Sequence, residues 1–96
     1  MQGNKLELSD KALRQIESIF DYHEGKRKGK GSDFLEVLWD CLEEIRENPK
    51  RWQYEGKAED RIRRGVSKFP QAIILYAIEE YEIAVYEVYD SYQNRG

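Results

Sequence analysis

The sequence predicts an α+β fold in which an antiparallel helical hairpin packs on one face of an antiparallel sheet, in the order β-α-α-β-β-β. Two segments in the first half carry apolar residues at three- and four-residue spacing, as amphipathic helices do. After Pro49 the spacing changes, and runs rich in β-branched and aromatic residues follow, which is typical of strands. The chain has 96 residues, of which 40% are hydrophobic. We therefore expect one core and a single domain spanning residues 1–96.

The first half of the chain is predicted to contain a short strand and a helix. Lys5–Leu8 alternates polar and apolar residues over a length that allows only a short strand. Ser9 is a typical helix N-cap, and the helix that follows is expected to end at Gly25. Its apolar stripe consists of Leu13, Ile16, Phe20 and His23.

A basic connection and a second helix come next. Lys26–Gly31 has no apolar residue and is predicted to be a mobile connection. Ser32 and Asp33 begin the second helix, which Asn48 and Pro49 end. Its stripe consists of Leu35, Leu38, Trp39, Leu42 and Ile45. Two helices joined by a short loop are expected to form an antiparallel hairpin.

The second half is predicted to form a loop and three strands. Arg51–Asp60 has no clear periodicity and is interpreted as a loop that lays an aromatic side chain on the core. The strands are expected at Ile62–Phe69, Ala72–Ile78 and Glu82–Tyr89. Only three residues separate the last two strands, so these must be antiparallel neighbours. The continuous apolar run from Ala72 predicts a central strand covered on both faces.

Composition excludes several classes of protein. The net charge of −3 argues against binding nucleic acid mainly by coating phosphates with basic side chains. The longest apolar run is far shorter than the roughly 20 residues of a membrane-spanning helix, and no signal segment opens the chain, so we expect a cytoplasmic protein without membrane contact. One cysteine and one histidine cannot form a disulfide or a four-ligand zinc site, and nucleotide-loop, zinc-protease and serine-hydrolase motifs are absent. No metal and no cofactor are expected.

His23 and Cys41 are interpreted as packing residues. His23 lies on an apolar helical stripe, where a partly buried, hydrogen-bonded histidine is more common than a catalytic one. Cys41 neighbours the stripe of the second helix, where a small buried thiol is usually inert.

The basic segment from Lys57 to Lys68 is the main candidate for a binding site. On an alternating strand Arg61 and Arg63 share one face, and Arg64 points to the other. If the arginine pair lies on the face that the helices leave uncovered, it can hold a phosphate or a carboxylate, and a bulge at Gly65 would let Lys68 join it. The alternative is a charged strand that only discourages edge pairing. Tyr89 and Tyr92, near the end of the chain, are the candidates for stacking on a base.

The sequence resembles the RelE/ParE superfamily of toxins from bacterial type II toxin–antitoxin systems. The resemblance is carried by five strings in family order: residues 9–23 (SDKALRQIESIFDYH), 33–49 (DFLEVLWDCLEEIRENP), 61–70 (RIRRGVSKFP), 72–76 (AIILY) and 83–94 (IAVYEVYDSYQN). It departs from the family at Tyr92, where an arginine is frequent, and at Arg95, where a proline is frequent.

The resemblance implies a small α+β toxin that is neutralised by a cognate antitoxin wrapped around it. RelE-like members cleave mRNA on the ribosome without metal, and ParE-like members inhibit DNA gyrase. The strand arginine of the family matches Arg61 or Arg63, and its C-terminal signature matches Asp90, Gln93 and Asn94. The residues expected to form the working site are Arg61, Arg63, Lys68, Tyr89 and Tyr92, with Arg95 as a further candidate.

This residue set favours the ParE-like mechanism over mRNA cleavage, because it offers no general base and the acidic segment from Glu79 to Asp90 would repel ribosomal RNA. A metal-free mRNA endoribonuclease is the alternative, and an inactive member that only binds its antitoxin is a second one. With either mechanism, the toxin is expected to cause growth inhibition, and the toxin–antitoxin pair is expected to cause plasmid stabilization. An inactive member would cause neither. The antitoxin is expected to contribute an amphipathic helix or an added strand.

Overall fold

Residues 5–90 are described by a computed structural model, and they form two helices and four strands in the predicted order. The helices are α1 (Asp10–Lys26) and α2 (Lys30–Glu47), and a short 3-10 helix at Ala58–Asp60 precedes the second strand. The strands are β1 (Lys5–Leu8), β2 (Arg63–Val66), β3 (Ala72–Ile78) and β4 (Glu82–Asp90). Tyr92 and Arg95, predicted as site residues, lie outside the described residues.

The four strands form one sheet in the order β1-β4-β3-β2. The pairs β2–β3 and β3–β4 are antiparallel, and β3 is central, as its apolar run predicts. β1 pairs with β4 in the parallel direction, so the sheet is mostly antiparallel with one parallel pair. The sequence of a four-residue strand does not indicate whether it pairs in the parallel or the antiparallel direction. Here the direction of β1 relative to β4 is determined by the path of the chain from β1 through α1.

Ser9 joins the first strand to the first helix. Its backbone N–H donates to the carbonyl of Val85 at 3.0 Å, and its Oγ donates to the carbonyl of Tyr86 at 2.8 Å. The same Oγ accepts the N–H of Ala12 at 3.0 Å, which is the predicted N-cap. Further along β4, the side-chain oxygen of Gln15 accepts the N–H of Val88 at 2.8 Å. The start of α1 is therefore fixed to β4 at both ends of its first two turns.

The connection between the helices is shorter than predicted. α1 continues to Lys26 and α2 begins at Lys30, so three residues rather than six separate them. The carboxylate of Glu24 accepts the backbone N–H groups of Gly29 at 3.0 Å and Gly31 at 2.9 Å. These two hydrogen bonds lower the pKa of Glu24. Gly31 is helical and buried, and it leaves no room for a side chain, because a Cβ there would lie 2.7 Å from the ring of Phe20. The prediction of a mobile basic segment was wrong, because Glu24 supplies acceptors for the first turn of α2.

The core lies between the hairpin and the sheet. The apolar periods of both helices are as predicted, but the buried face is rotated, because Leu13 and Trp39 are each 52% exposed. Of the predicted stripes, His23, Leu38, Leu42 and Ile45 are buried, and Ile16, Phe20 and Leu35 pack partly buried against the core. The helices also bury Ala12, Ile19, Phe34 and Cys41. The sheet meets them with Ala72, Ile74, Tyr76, Ile83, Val85 and Val88. Trp52 packs partly buried against this core, which confirms the prediction that the 51–60 loop contributes an aromatic side chain.

Candidate functional site

Gly65 shows which face of β2 meets the helices. A Cβ at this residue would lie 2.9 Å from Cδ1 of Ile45 in α2, so Gly65 faces the hairpin. Side chains alternate along a strand, which puts Arg63 on the same side and Arg64 on the opposite side. The register of β2 against β3 runs without a shift from Arg63 to Val66, so the bulge expected at Gly65 is absent. The register shift of the sheet lies instead between Leu75 and Tyr76, in the pairing of β3 with β4.

Arg63 is held by the chain that leaves α2. Its guanidinium donates to the carbonyl of Lys50 at 3.3 Å, to the carbonyl of Trp52, and to the hydroxyl of Tyr54 at 3.1 Å. It also lies over the Tyr54 ring, with Cζ 4.2 Å from the ring centroid. The prediction that Arg63 lies on the uncovered face was wrong, because backbone carbonyls on the helix side accept its hydrogen bonds.

Tyr76 secures the same stretch of chain. Its hydroxyl donates to the carbonyl of Pro49 at 2.6 Å, one residue before the first carbonyl that Arg63 binds. Burial raises the pKa of this phenol to about 12, against a smaller lowering effect of the Arg63 charge. Arg63 and Tyr76, which are opposite each other in the β2–β3 register, therefore together fix the segment after α2.

Arg64 is the arginine on the face of the sheet opposite the helices, here called the open face. It is exposed, and its guanidinium lies 3.4 Å from the carboxylate of Glu55. Sequence reasoning did not select it, although a glycine next to it gave a usable signal. A strand glycine often marks the close approach of another element. If Gly65 faces that element, the next residue on each side, including Arg64, points to the opposite face.

Arg61 is not on a strand. It follows the 3-10 helix in the left-handed conformation, with φ at 66°, and is exposed. Within residues 5–90 no side chain pairs with its guanidinium. The structure therefore does not place Arg61 and Arg63 side by side on one face, as strand alternation predicted.

Lys68 and Tyr89 lie at the other end of the sheet from Arg63. Tyr89 is opposite Ile73 on β3, and Ile73 is opposite Val66 on β2, whereas Arg63 is three residues away along β2. Strands rise about 3.3 Å per residue, so Arg63 is about 10 Å along the sheet from the row formed by Val66, Ile73 and Tyr89. The predicted residues that the structure describes thus form two separate groups, with Arg61 and Arg63 at one end and Lys68 and Tyr89 at the other.

The open face has an apolar centre and an acidic flank. On β3, Ile73 and Ala77 are each 3% exposed although they point away from the helices, as predicted for a strand covered on both faces. On the β1 and β4 side, the register places three carboxylates on this face: Glu7, Glu82 and Glu87. Glu87 pairs with Lys11 at 3.4 Å. Arg64 is the arginine of β2 that faces this surface.

His23 and Cys41 are buried, as predicted. Nε2 of His23 lies 2.9 Å from Oδ2 of Asp90, and the His23 ring stacks on Phe34 with the centroids 5.6 Å apart. Burial, reinforced by the charge of Glu44, raises the pKa of the Cys41 thiol to about 12. A thiol with so little thiolate at neutral pH is a packing group rather than a nucleophile.

A groove runs between α2 and the outer edge of β2, and is here called the edge groove. It has a volume of about 400 Å³ and is lined by Cys41 and Asp40 from α2, and by Trp52, Val66 and Lys68 on the opposite side. Arg51 lies at its rim, stacked on the Trp52 ring at 4.9 Å and paired with Glu44 at 3.1 Å. This groove was not predicted, because its two sides come from elements that are distant in sequence.

Residues 5–90 contain neither a cluster of metal ligands nor a helix that could span a membrane. This part of the chain contains no group of three or more His, Cys, Asp or Glu side chains arranged to hold a metal ion. In the same residues, neither helix is long and apolar enough to cross a membrane.

Comparison with known proteins gives a likeness of fold. No protein-family model matches the sequence, and no curated protein matches it. Among solved structures, a chain from the chromosomal ParDE TA system of P. aeruginosa superposes on this chain with a TM-score of 0.77. The two chains are 10% identical, and the match covers 91% of this chain and 95% of the other.

The two chains share one fold. The fold expected from the resemblance to the RelE/ParE superfamily is thus confirmed as a fold shared with the ParDE chain. The superposition covers almost the whole of both chains.

Proposed function

We propose that this chain is the toxin of a type II toxin–antitoxin pair and that it inhibits growth in the ParE-like way, by acting on DNA gyrase. The observation that carries the proposal is the likeness of fold to the ParDE chain, with a TM-score of 0.77 over 91% of this chain. The partner that this proposal requires is a cognate antitoxin, and its place of action is the cytoplasm, where gyrase works.

The arrangement of the basic residues favours gyrase inhibition over mRNA cleavage. Metal-free cleavage needs a base, an acid and charge stabilisation around one phosphate. Arg63 already donates to two carbonyls and a hydroxyl. Lys68 and Tyr89 lie at the other end of the sheet from Arg63. Glu82 adds a negative charge on the open face that would repel an RNA backbone, whereas Glu7 is paired with Lys5 at 3.6 Å and Glu87 with Lys11 at 3.4 Å.

Expression of the chain with and without its antitoxin tests the general proposal. Expression alone is expected to arrest growth, and co-expression with the polypeptide encoded by the neighbouring short reading frame is expected to restore it. Normal growth without that polypeptide would leave only the inactive, antitoxin-binding alternative.

Two assays on the purified chain separate the mechanisms. Added to gyrase and supercoiled DNA, it is expected to trap cleaved DNA; added to translating ribosomes, it is expected to leave mRNA intact. Codon-specific mRNA fragments would contradict the gyrase mechanism and support the endoribonuclease. Replacement of Arg64 on the open face by Glu is expected to reduce gyrase trapping, whereas replacement of the exposed Lys57 by Glu, a matched change of charge, should have a smaller effect.

A further inference from the structure

Four basic side chains surround the connection between the two helices, and they are here called the basic turn. Lys26 ends α1, Lys30 begins α2, and Arg27 and Lys28 lie between them. The first three of these side chains in the sequence are exposed, and Lys30 is partly exposed. Positions 26–30 contain no acidic residue, so one tip of the molecule carries a charge of +4, although the whole chain carries −3.

The charges of the basic turn are not neutralised by pairing with nearby carboxylates. Glu24 uses its two carboxylate oxygens on the backbone N–H groups of Gly29 and Gly31. Asp21 and Asp33 are five residues before and three residues after the basic turn in the sequence. Within residues 5–90, no carboxylate lies within 4.0 Å of a charged nitrogen of the basic turn. These cations are therefore available to an external anion.

The backbone of the basic turn is fixed by hydrogen bonds. The N–H of Arg27 donates to the carbonyl of His23 at 3.2 Å, and the N–H of Lys30 donates to the carbonyl of Arg27 at 3.0 Å. Gly29 has a φ of 90°, which a glycine adopts without strain, and Glu24 holds the N–H on each side of Lys30. An ordered turn loses less conformational entropy on binding than a mobile loop, so the four charges are presented together at a small cost.

The strongly acidic end of the sheet lies far from the basic turn. His23, three residues before it, contacts Asp90 at the end of β4, whereas Glu82 begins that strand. At about 3.3 Å per residue, Glu82 lies about 25 Å from Asp90, well beyond the screening length of about 8 Å at physiological salt. Glu87, which is nearer, is paired with Lys11 at 3.4 Å. The acidic end of β4 therefore does not cancel the field of the basic turn.

The composition of the basic turn fits a phosphate backbone better than a protein surface. Between positions 25 and 32 no exposed residue has an apolar or aromatic side chain. Protein interfaces have an apolar centre, and single-stranded nucleic acids are held by stacking on aromatic rings. Contacts to phosphates of a duplex need only cationic donors. Double-stranded DNA carries one negative charge per about 1.7 Å of its axis, so several phosphates are within reach of one compact turn.

We propose that the basic turn binds the phosphate backbone of double-stranded DNA without reading its sequence. Arg27 binds a phosphate through its planar guanidinium, and the three lysines act as point charges. The side chains rather than the first N–H groups of α2 make the contact, because Glu24 already occupies the N–H of Gly31. This inference goes beyond the proposed function, because it assigns DNA binding to the chain itself in the absence of any other protein.

Fluorescence anisotropy of a short labelled DNA duplex, titrated with the full chain at several salt concentrations, tests the proposal. The logarithm of the binding constant is expected to fall with the logarithm of the salt concentration with a slope of about −3 to −4, for four phosphate contacts. Arg27→Gln/Lys28→Gln should make this slope shallower by about two and weaken binding at low salt at least about tenfold. The matched control Lys50→Gln/Lys57→Gln removes two exposed charges elsewhere and should change both quantities much less.

A charge-conserving variant separates charge from shape. Arg27→Lys/Lys28→Arg keeps both charges and is expected to retain the slope of the unaltered chain. Thermal denaturation checks that all three variants are folded, as expected for exposed side chains.

Equal slopes for the glutamine variant of the turn and its control, or a slope near zero for the unaltered chain, would overturn the proposal. Tighter binding of poly-glutamate than of DNA would assign the turn to an acidic polypeptide, and tighter binding of duplex RNA would assign it to RNA; each result would also overturn it. The growth and gyrase assays are separate measurements, so the proposed function and this inference can fail independently.

Discussion

Nε2 of His23 lies 2.9 Å from Oδ2 of Asp90, joining the last turns of α1 to the final residue of β4. The side chains are 5% and 0% exposed. Asp90 is the first residue of the C-terminal signature by which the sequence resembles the toxin superfamily. The pair therefore fixes the first residue of that signature against α1.

Breaking this pair is expected to destabilise the fold strongly. His23→Leu removes the imidazole that lies 2.9 Å from the buried Asp90 carboxylate, and the loss of one member of a buried polar pair is expected to cost about 3–5 kcal/mol of unfolding free energy. The double variant His23→Leu/Asp90→Val removes both polar groups and should recover much of that loss. Urea denaturation of the two variants measures the difference, and equal stabilities would contradict a coupled pair.

Arg63 and Arg64 are adjacent but are expected to behave differently. Arg63→Ala removes hydrogen bonds to two carbonyls after α2 and should lower the unfolding free energy by about 2 kcal/mol. Arg64→Ala removes one exposed ion pair and should change it by less than about 0.5 kcal/mol. Thermal denaturation compares the two. A loss of stability in the Arg64 variant as large as in the Arg63 variant would contradict the face assignment.

Gly65 is expected to resist any side chain. Gly65→Ala places a methyl group 2.9 Å from Cδ1 of Ile45 in the core, and overpacking of this kind costs about 1–3 kcal/mol. Ile45→Val removes that Cδ1, so the double variant should be less destabilised than the sum of the single ones. Gly25→Ala is the matched control: nothing lies within 4 Å of its added methyl, and helix propensity predicts a gain of about 0.5–1 kcal/mol.

Alkaline pH is expected to unfold the chain through Cys41 and Tyr76. Burial raises the pKa of the thiol from 9.0, and that of the phenol from 10.0, to about 12 in each case. Between pH 9 and 12 the unfolded chain releases protons that the folded chain keeps, so stability is full below pH 9 and falls as the pH rises. The slope is about 1.4 kcal/mol per pH unit for each such proton. Cys41→Ala should show a shallower loss of unfolding free energy over this range, and an unchanged slope would contradict the assignment.

Much of the fold followed from local patterns. Ser9 caps α1 as predicted, and β3 begins at Ala72 and ends at Ile78 as predicted, because capping groups and dense apolar runs act over a few residues. The loop between the helices was predicted wrongly, since Glu24 reaches across it to two backbone N–H groups. The exposure of Leu13 and Trp39 was also missed, because a period gives the spacing of a stripe and not its exact orientation in the fold.

The candidate site depended more on contacts between distant residues. The burial of His23 was predicted, but its partner Asp90 is 67 residues away in the sequence, and no local pattern connects them. Alternation correctly separated Arg63 from Arg64 but could not say which of them meets the helices. That answer came from the approach of Ile45 to Gly65.

The sequence by itself predicted the two helices, the three later strands and their order along the chain. It also indicated the resemblance to the toxin superfamily. Each of these depends on residue patterns within short segments. The tertiary structure alone decided that β1 runs parallel beside β4, that the Arg63 guanidinium donates to backbone carbonyls, and that Arg64 faces away from the helices. These depend on which elements lie side by side, and a side chain's hydrogen-bond partners are set by that proximity rather than by its own neighbours in the chain.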